Sequence, residues 1–345
     1  MLLSDASPFS PVRFVVPLLE WHLHHGRQLP WMTKQPYDVW LSEVMLQQTQ
    51  VSTVLERFAA FKKQFPTIDD LAAAAVEDVL AQWSGLGYYR RARNLHACAQ
   101  ALAAWIAEHG NWPQEAHQWV ALPGIGRSTA NAIVSACFDK VEPILDANAK
   151  RVLLRFAGDL DATDKVAWTY AEQAMAVSTF QAAAYTQAIM DLGATVCTAR
   201  KAECLRCPLM TQCKSAGWET VKPAKGVAGA HAAAKNPKSD KPVVSFDWAL
   251  CLRENSEVLL VLRDESSFWP ALWVFPDMSA RFSTVPGVDE YNIKHELSHR
   301  SLCIRIQNVA LTGGQEPAEK WVALADIRDR KIPVPSPVAA LLKNV

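Results

Sequence analysis

Residues 122–130 read LPGIGRSTA. Gly124 and Gly126, two apart and just past Pro123, make a tight turn that opens a helix. The backbone N–H groups of such a turn, with the helix N-terminus behind them, suit a phosphate. A plain helix–helix connection would carry the same residues. A nucleotide-binding glycine loop does not fit, because no strand precedes the turn and no Gly-Lys-Ser/Thr follows it. Around this turn the chain reads as helix from its start to about Gly217. In residues 38–65, Val44, Val51, Leu55 and Phe58 recur at helical spacing, and Asp38 after Pro36 reads as an N-cap. Residues 71–83, with the alanine run Ala72–Ala75 as filler, and residues 91–110, ended by Gly110, predict further helices. Residues 128–138, 148–158 and 166–177 complete an all-α region with short connections.

The composition changes at residues 219–242, a stretch of Lys, Ala, Gly and Pro without aromatics, which reads as an exposed linker. The period then changes as well. Phe246, Trp248, Leu250 and Leu252 alternate along one face, and residues 257–263 follow after a Glu-Asn-Ser turn, so a hairpin is expected. Residues 301–311 alternate too, and residues 334–345 read as a closing helix. Residues 243–345 should form a small α+β domain.

The chain has 345 residues, half of them hydrophobic, enough for two domains with their own cores. No early apolar run reads as a secretory signal and none is long enough to span a bilayer. The expectation is a cytoplasmic protein with reduced thiols. Thirty-five basic residues balance 35 acidic ones. Nucleic-acid binding therefore requires positive charge gathered on one face. Arg90, Arg91 and Arg93, then Lys150, Arg151 and Arg155, then Arg200, Lys201, Arg206 and Lys214 are the candidate clusters.

Of eight cysteines, Cys98, Cys137, Cys251 and Cys303 are scattered and read as packing residues. The other four, Cys197, Cys204, Cys207 and Cys213, are spaced Cys-x6-Cys-x2-Cys-x5-Cys. Zinc sites prefer two close pairs separated by a longer loop. One close pair followed by Pro208 fits a cuboidal iron–sulfur cluster better. Two carboxylates stand in apolar settings: Glu43 in VWLSEVMLQQTQ and Asp146 in PILDANAKRVL. Asp146 also has the position of a helix N-cap.

LPGIGRSTA, ILDANAKRV, MDLGATVC and the four-cysteine spacing, in this order, resemble the helix-hairpin-helix DNA glycosylases that carry a [4Fe–4S] cluster. LSEVMLQQTQV and GLGYYRRARNL narrow the resemblance to the MutY-type adenine DNA glycosylases. It covers residues 29–217 almost without gaps. FWPALWVFP and HELSHRS resemble that family's Nudix-like C-terminal domain, here without a hydrolase box. The fold implied is a mostly α catalytic region over 1–218, with a six-helix part at about 30–140 and an iron–sulfur module from about 1–29 and 141–218. A linker over 219–242 and a Nudix-like α+β recognition domain over 243–345 complete it.

The resemblance implies excision of adenine mispaired with 8-oxoguanine or G, after the base leaves the stack. By position, Glu43 is the acid that protonates adenine N7. Asp146 faces the sugar C1′, stabilises its cationic character and forms a covalent sugar adduct, and Asn148 orients the pair. Such a division needs a raised pKa on one carboxyl and a polar nest for the other. Trp31 matches a pocket residue. Gln47, Gln48 and Tyr88 match side chains wedged into the duplex. Gly124 and Gly126 match a phosphate contact, and Ser128 a position that varies within the family. Lys150 matches a lysine that traps the abasic product, and Ser298 and His299 match a loop that senses 8-oxoguanine. The four cysteines hold the [4Fe–4S] cluster, with Arg200, Lys201 and Arg206 lining its loop. The partner implied is double-stranded DNA with A:8-oxoguanine or A:G mispairs, bound by a monomer, near the nucleoid in a bacterium.

Three departures stand out: Met32 replaces an Arg after Leu-Pro-Trp, Ala147 replaces the Gly of Asp-Gly-Asn, and Leu297 replaces the Phe of Phe-Ser-His. Ala147 is expected to take a backbone conformation that favours glycine. Two other readings compete. An endonuclease III-like glycosylase/lyase needs a nucleophilic Lys where Ser128 stands. A non-enzymatic cluster-containing DNA-binding module has no need of Glu43 and Asp146.

Overall fold

The computed structural model describes residues 8–217, 241–253, 256–264, 266–288, 290–297 and 300–343. In chain order the helices are α1 (Pro11–His25), α2 (Pro36–Leu46), α3 (Val51–Gln64), α4 (Ile68–Ala73), α5 (Val76–Gln82), α6 (Arg90–His109), α7 (Ala116–Val120), α8 (Arg127–Phe138), α9 (Ala147–Ala157), α10 (Asp164–Val177) and α11 (Ala182–Thr195). Strands β1 (Val243–Arg253), β2 (Glu257–Leu262), β3 (Trp273–Val274), β4 (Phe282–Thr284), β5 (Tyr291–Glu296), β6 (Ser301–Leu311) and β7 (Glu319–Ala323) follow. Helices α12 (Leu324–Arg328) and α13 (Ser336–Leu342) close the chain. The helical first part and the sheet-bearing tail agree with the sequence reading. None of the helices among the described residues is long and apolar enough to cross a membrane.

The chain divides into two compact units, one drawn from Met1–Leu55 and Ala97–Ala234, the other from Glu56–His96 and Lys235–Val345. The first is helical. Its core joins Phe14 and Leu18 of α1 to Leu153 and Phe156 of α9, Ala171 and Met175 of α10, and Tyr185 and Ile189 of α11. Phe9, Phe14, Phe156 and Tyr170 form a ring cluster with centroids 5.0–5.7 Å apart, which supplies both apolar area and edge-to-face contacts.

In the second unit β1 is the spine. It runs parallel to β6, from Val243 against Ser301 to Cys251 against Val309, and antiparallel to β2. The order is β3-β2-β1-β6-β4, with β5 also on β6 and β7 on β2. Trp248 and Leu250 enter one core with Val258, Ile304 and Val338, while Ala249 and Cys251 enter another with Leu259 and Phe282. Both faces of mid-β1 are therefore covered, and Leu252, expected on the inner face, is 39% exposed. Residues 56–96 pack in this same unit. The Tyr89 hydroxyl donates to the Val334 carbonyl at 2.7 Å, and the Arg93 guanidinium donates to the Pro270 carbonyl.

Three local expectations are corrected. The N-cap of α2 is Gln35, with Pro36 in the first turn, and Asp38 lies buried inside that turn. The alanine run does not continue a helix: Ala74 and Ala75 are extended, and the acids Glu77 and Asp78 start α5, where negative charge suits the helix N-terminus. Ala147 is the first residue of α9 and has no positive φ, so replacing glycine there imposes no strain.

Candidate active site

Glu43 lies mid-way along α2, whose neighbours Leu41, Val44 and Met45 are fully buried. That helix stops at Leu46 and α3 starts at Val51. The intervening Gln48 is exposed with φ of 59°, and the Gln47 amide reaches the Gly124 carbonyl and Thr129 Oγ1, each at 3.4 Å. The Gln-Gln-Thr-Gln run thus ends one helix and touches the glycine turn. Gly124 has φ of 78°, which favours glycine. Gly126 caps α8 at φ −90°, and a Cβ there would meet open space.

Beneath the turn, Ser128 Oγ accepts from the Leu145 N–H at 3.0 Å. This bond fixes the chain just before Asp146. Asp146 is the N-cap of α9: its Oδ1 accepts from the Ala149 N–H at 2.7 Å and its Oδ2 from Asn148 Nδ2 at 3.2 Å. Asn148 Oδ1 in turn accepts from Arg151 Nη2 at 2.8 Å, and Arg151 also donates to the Gly193 and Cys197 backbone carbonyls. Burial raises the Asp146 pKa above the usual carboxylate range; the Ala149 N–H, Arg151 and Asn148 oppose that rise.

Glu43 borders a cavity of about 340 Å³ with Trp31, Met32, Leu46, Gln187 and Met190, within the volume range of small-ligand pockets. Its carboxyl is surrounded by protein, with the side chain half-buried on that cavity. Burial first, and the nearby negative charge of Asp146 second, raise its pKa to about 7. Asp146 is not among the residues lining the cavity, but its field reaches Glu43. A carboxyl poised near neutrality can hold a proton and give it up at working pH.

The opposite wall was not read from the sequence. Asp191 of α11 is fully buried and gathers the cavity residues. Its Oδ1 accepts from Arg27 Nε at 2.8 Å and from Gln187 Nε2 at 2.8 Å, and its Oδ2 from the Arg27 backbone N–H at 2.9 Å. His22 Nδ1 lies 3.6 Å from the same Oδ2. An acid inside the apolar run AIMDLGA was the available signal. Nothing in the sequence marks His22, Arg27 or Gln187.

Lys150 pairs with Asp164 at 2.5 Å. Tyr88, with φ of 48°, is exposed in the second unit, where the Arg91 guanidinium lies 5.6 Å from its ring centroid. Arg91, Arg151 and Arg155 are buried and bonded to backbone carbonyls, so they add nothing to an exposed basic patch. Arg200, Lys201 and Arg206 are exposed. Ser298 and His299 lie outside the described residues.

All eight cysteines are free thiols. Cys197, Cys204 and Cys213 each act on Cys207, whose pKa burial and these neighbours push up to about 12. The four therefore share one neighbourhood. Arg155 Nη1 donates to Cys197 Sγ at 3.3 Å. Among the described residues no group of three or more His, Cys, Asp or Glu is set to hold a metal ion.

Residues 41–174 match the HhH-GPD superfamily of base excision DNA repair proteins. The adenine DNA glycosylase of Buchnera aphidicola subsp. Baizongia pistaciae is 34% identical over 307 residues, 84% of each chain. The rat adenine DNA glycosylase is 31% identical, over 91% of this chain and 75% of its own. A thermostable thymine-DNA glycosylase superposes with a TM-score of 0.54 at 24% identity, covering 59% of this chain and 95% of that one. An endonuclease III in a non-covalent DNA complex superposes at 0.50 and 20% identity, covering 60% and 96%. These two likenesses show the fold alone. By its similarity to relatives matched over most of their length, the chain belongs to the adenine DNA glycosylase family.

Proposed function

We propose that this protein excises adenine mispaired with 8-oxoguanine or G in double-stranded DNA, by hydrolysing its N-glycosidic bond without cutting the strand. The observation that carries this reading is Glu43: an enclosed carboxyl near neutrality, on a base-sized cavity, within the field of Asp146. Glu43 gives its proton to adenine N7 as the C1′–N9 bond breaks and its electron pair leaves with the base. Asp146 meets the positive charge left on the sugar and forms the covalent sugar adduct that water resolves. Asn148 and Arg151 hold Asp146 in place. Trp31 packs against the everted base.

The DNA contacts are proposals on the same footing. Gly126 needs neither positive φ nor relief from crowding, so the fold gives no reason for a glycine there. Close approach of a phosphate to the Gly124–Gly126 turn does, and such a contact positions the duplex without reading its sequence. Gln47, Gln48 and Tyr88 enter the duplex beside the lesion. Ser298 and His299, in a Nudix-like domain over residues 243–345, read 8-oxoguanine. Residues 1–218 carry the excision chemistry, and the protein acts as a monomer. Lys150 traps the abasic product only after release from Asp164.

Cys197, Cys204, Cys207 and Cys213 hold a [4Fe–4S] cluster. Four free thiols that act on one another electrostatically suit such a group, since bound iron neutralises the thiolates that burial and crowding disfavour. When bound, the cluster shapes the loop that carries Arg200, Lys201 and Arg206 and supplies no chemistry to the base. Brown colour lost on Cys207→Ser tests this assignment.

The deciding experiment is strand cleavage of duplexes holding A opposite 8-oxoguanine, G or C, with and without alkali. Cutting only after alkali, at the first two pairs, is expected. Cutting without alkali would favour the glycosylase/lyase reading, and no cutting a non-enzymatic module.

A further inference from the structure

We propose that His22 determines base specificity in the cavity, offering its Nε2 lone pair to the exocyclic amine of a 6-aminopurine. This rests on reading the cavity as the adenine pocket.

Two independent features fix the ring. It lies over Gly26: a Cβ at that position would stand 2.6 Å from His22 Cε1 and 2.7 Å from Nδ1. Only glycine leaves the space, although its φ of −59° would suit any residue. On its other side the ring faces Asp191, with Nδ1 3.6 Å from Oδ2. Nδ1 is sealed from solvent and, among the described residues, has no hydrogen-bond partner. His22 is among the residues lining the cavity.

These constraints select one tautomer. A lone pair on Nδ1 would point at the carboxylate of Asp191, which Arg27 and Gln187 hold rigidly in place. A proton on Nδ1 points there favourably instead. The proton therefore resides on Nδ1, and Nε2 keeps its lone pair. The same arrangement, a buried carboxylate setting the tautomer of a functional histidine, operates around metal-bound imidazoles. Burial lowers the His22 pKa more than Asp191 restores it, which favours the neutral ring. Asp191 of α11 faces Nδ1, while Arg27, Lys34 and Glu43 share the cavity wall.

A neutral acceptor at this place accepts a hydrogen bond from a 6-amino group and none from a C6 hydrogen. Opposite a 6-oxo group it meets a second acceptor. Pockets built to bond a polar group reject analogues that lack it, because the pocket's own group is then left unpaired.

The test is single-turnover release of adenine, purine and hypoxanthine from otherwise identical duplexes by the full-length protein, His22→Phe and His22→Gln. The adenine-to-purine rate ratio should fall about tenfold in His22→Phe, the worth of one neutral hydrogen bond. His22→Gln, which can still accept, should keep part of the preference. An unchanged ratio in His22→Phe at normal adenine rates overturns the inference and leaves the proposed function standing. A wild-type protein that releases no adenine overturns both. Should His22→Phe not fold, the ¹⁵N resonances of histidine-labelled wild type decide, with His22 identified by its absence in His22→Gln. An Nδ1–H tautomer supports the inference, and an Nε2–H tautomer overturns it.

Discussion

Replacing Glu43 by glutamine should stabilise the protein, and increasingly so as pH rises. The folded state holds the Glu43 pKa near 7 against an ordinary value of 4.5. The native state therefore binds this proton more tightly than the unfolded chain does. The sign follows: the native state is favoured by this group below about pH 4.5, and the advantage is lost as pH rises toward 7. At about pH 5.5 the unfolded chain has already ionised, and the penalty is about 1.4 kcal/mol, one unit of pKa difference. At about pH 8.5 the whole difference is expressed, about 3 kcal/mol. Glutamine, uncharged throughout, escapes both penalties. The stability gap between Glu43→Gln and wild type should widen by about 2 kcal/mol between those pH values. Urea unfolding of both proteins at each pH measures it, and comparison across pH cancels the titrations that are not coupled to Glu43. The same variant should bind a mispaired duplex yet release no adenine. A gap independent of pH would refute the enclosed, raised-pKa acid, whatever the variant's activity.

Wild-type adenine release under single-turnover conditions should fall above about pH 7 as Glu43 loses its proton, about tenfold per unit; a rate still level two units higher would exclude Glu43 as the proton donor. Asp191→Asn leaves Arg27 as an uncompensated partly buried charge, and a loss of about 3–5 kcal/mol is expected in denaturant unfolding; unchanged stability would show that the Arg27 contact contributes little. Gly193→Ala places a Cβ 2.6 Å from the Asn148 Cβ, so Asn148 must move from Asp146. Adenine release should drop about tenfold or more with duplex affinity nearly unchanged, and equal losses in both would point to global disruption instead.

The helical first part and the sheet-bearing tail were legible because periodicity reports which face of an element is buried. Gly110 ended its helix as expected, with positive φ. The interruption between α2 and α3 was not legible, since Val44, Val51 and Leu55 keep helical spacing across it. At the break Gln48 takes a φ of 59° and the Gln47 side chain reaches the Gly124 carbonyl, a contact distant in sequence. Asp146 caps α9, as its position suggested, and the same carboxylate acts on Glu43. The Asp191 wall escaped notice because its partners come from positions 22, 27 and 187, a spacing that no local pattern encodes.

The hydrogen bonds from Tyr89 and Arg93 to the carbonyls of Val334 and Pro270 bear on how the tail can be handled. Those donors belong to residues 56–96, in the middle of the chain, and their acceptors to its end. The tail is thus no detachable cartridge. Cutting the chain ahead of residue 241 would strip Tyr89 and Arg93 of these acceptors. Transplanting a tail from a relative would succeed only if its backbone returned carbonyls to the same two places.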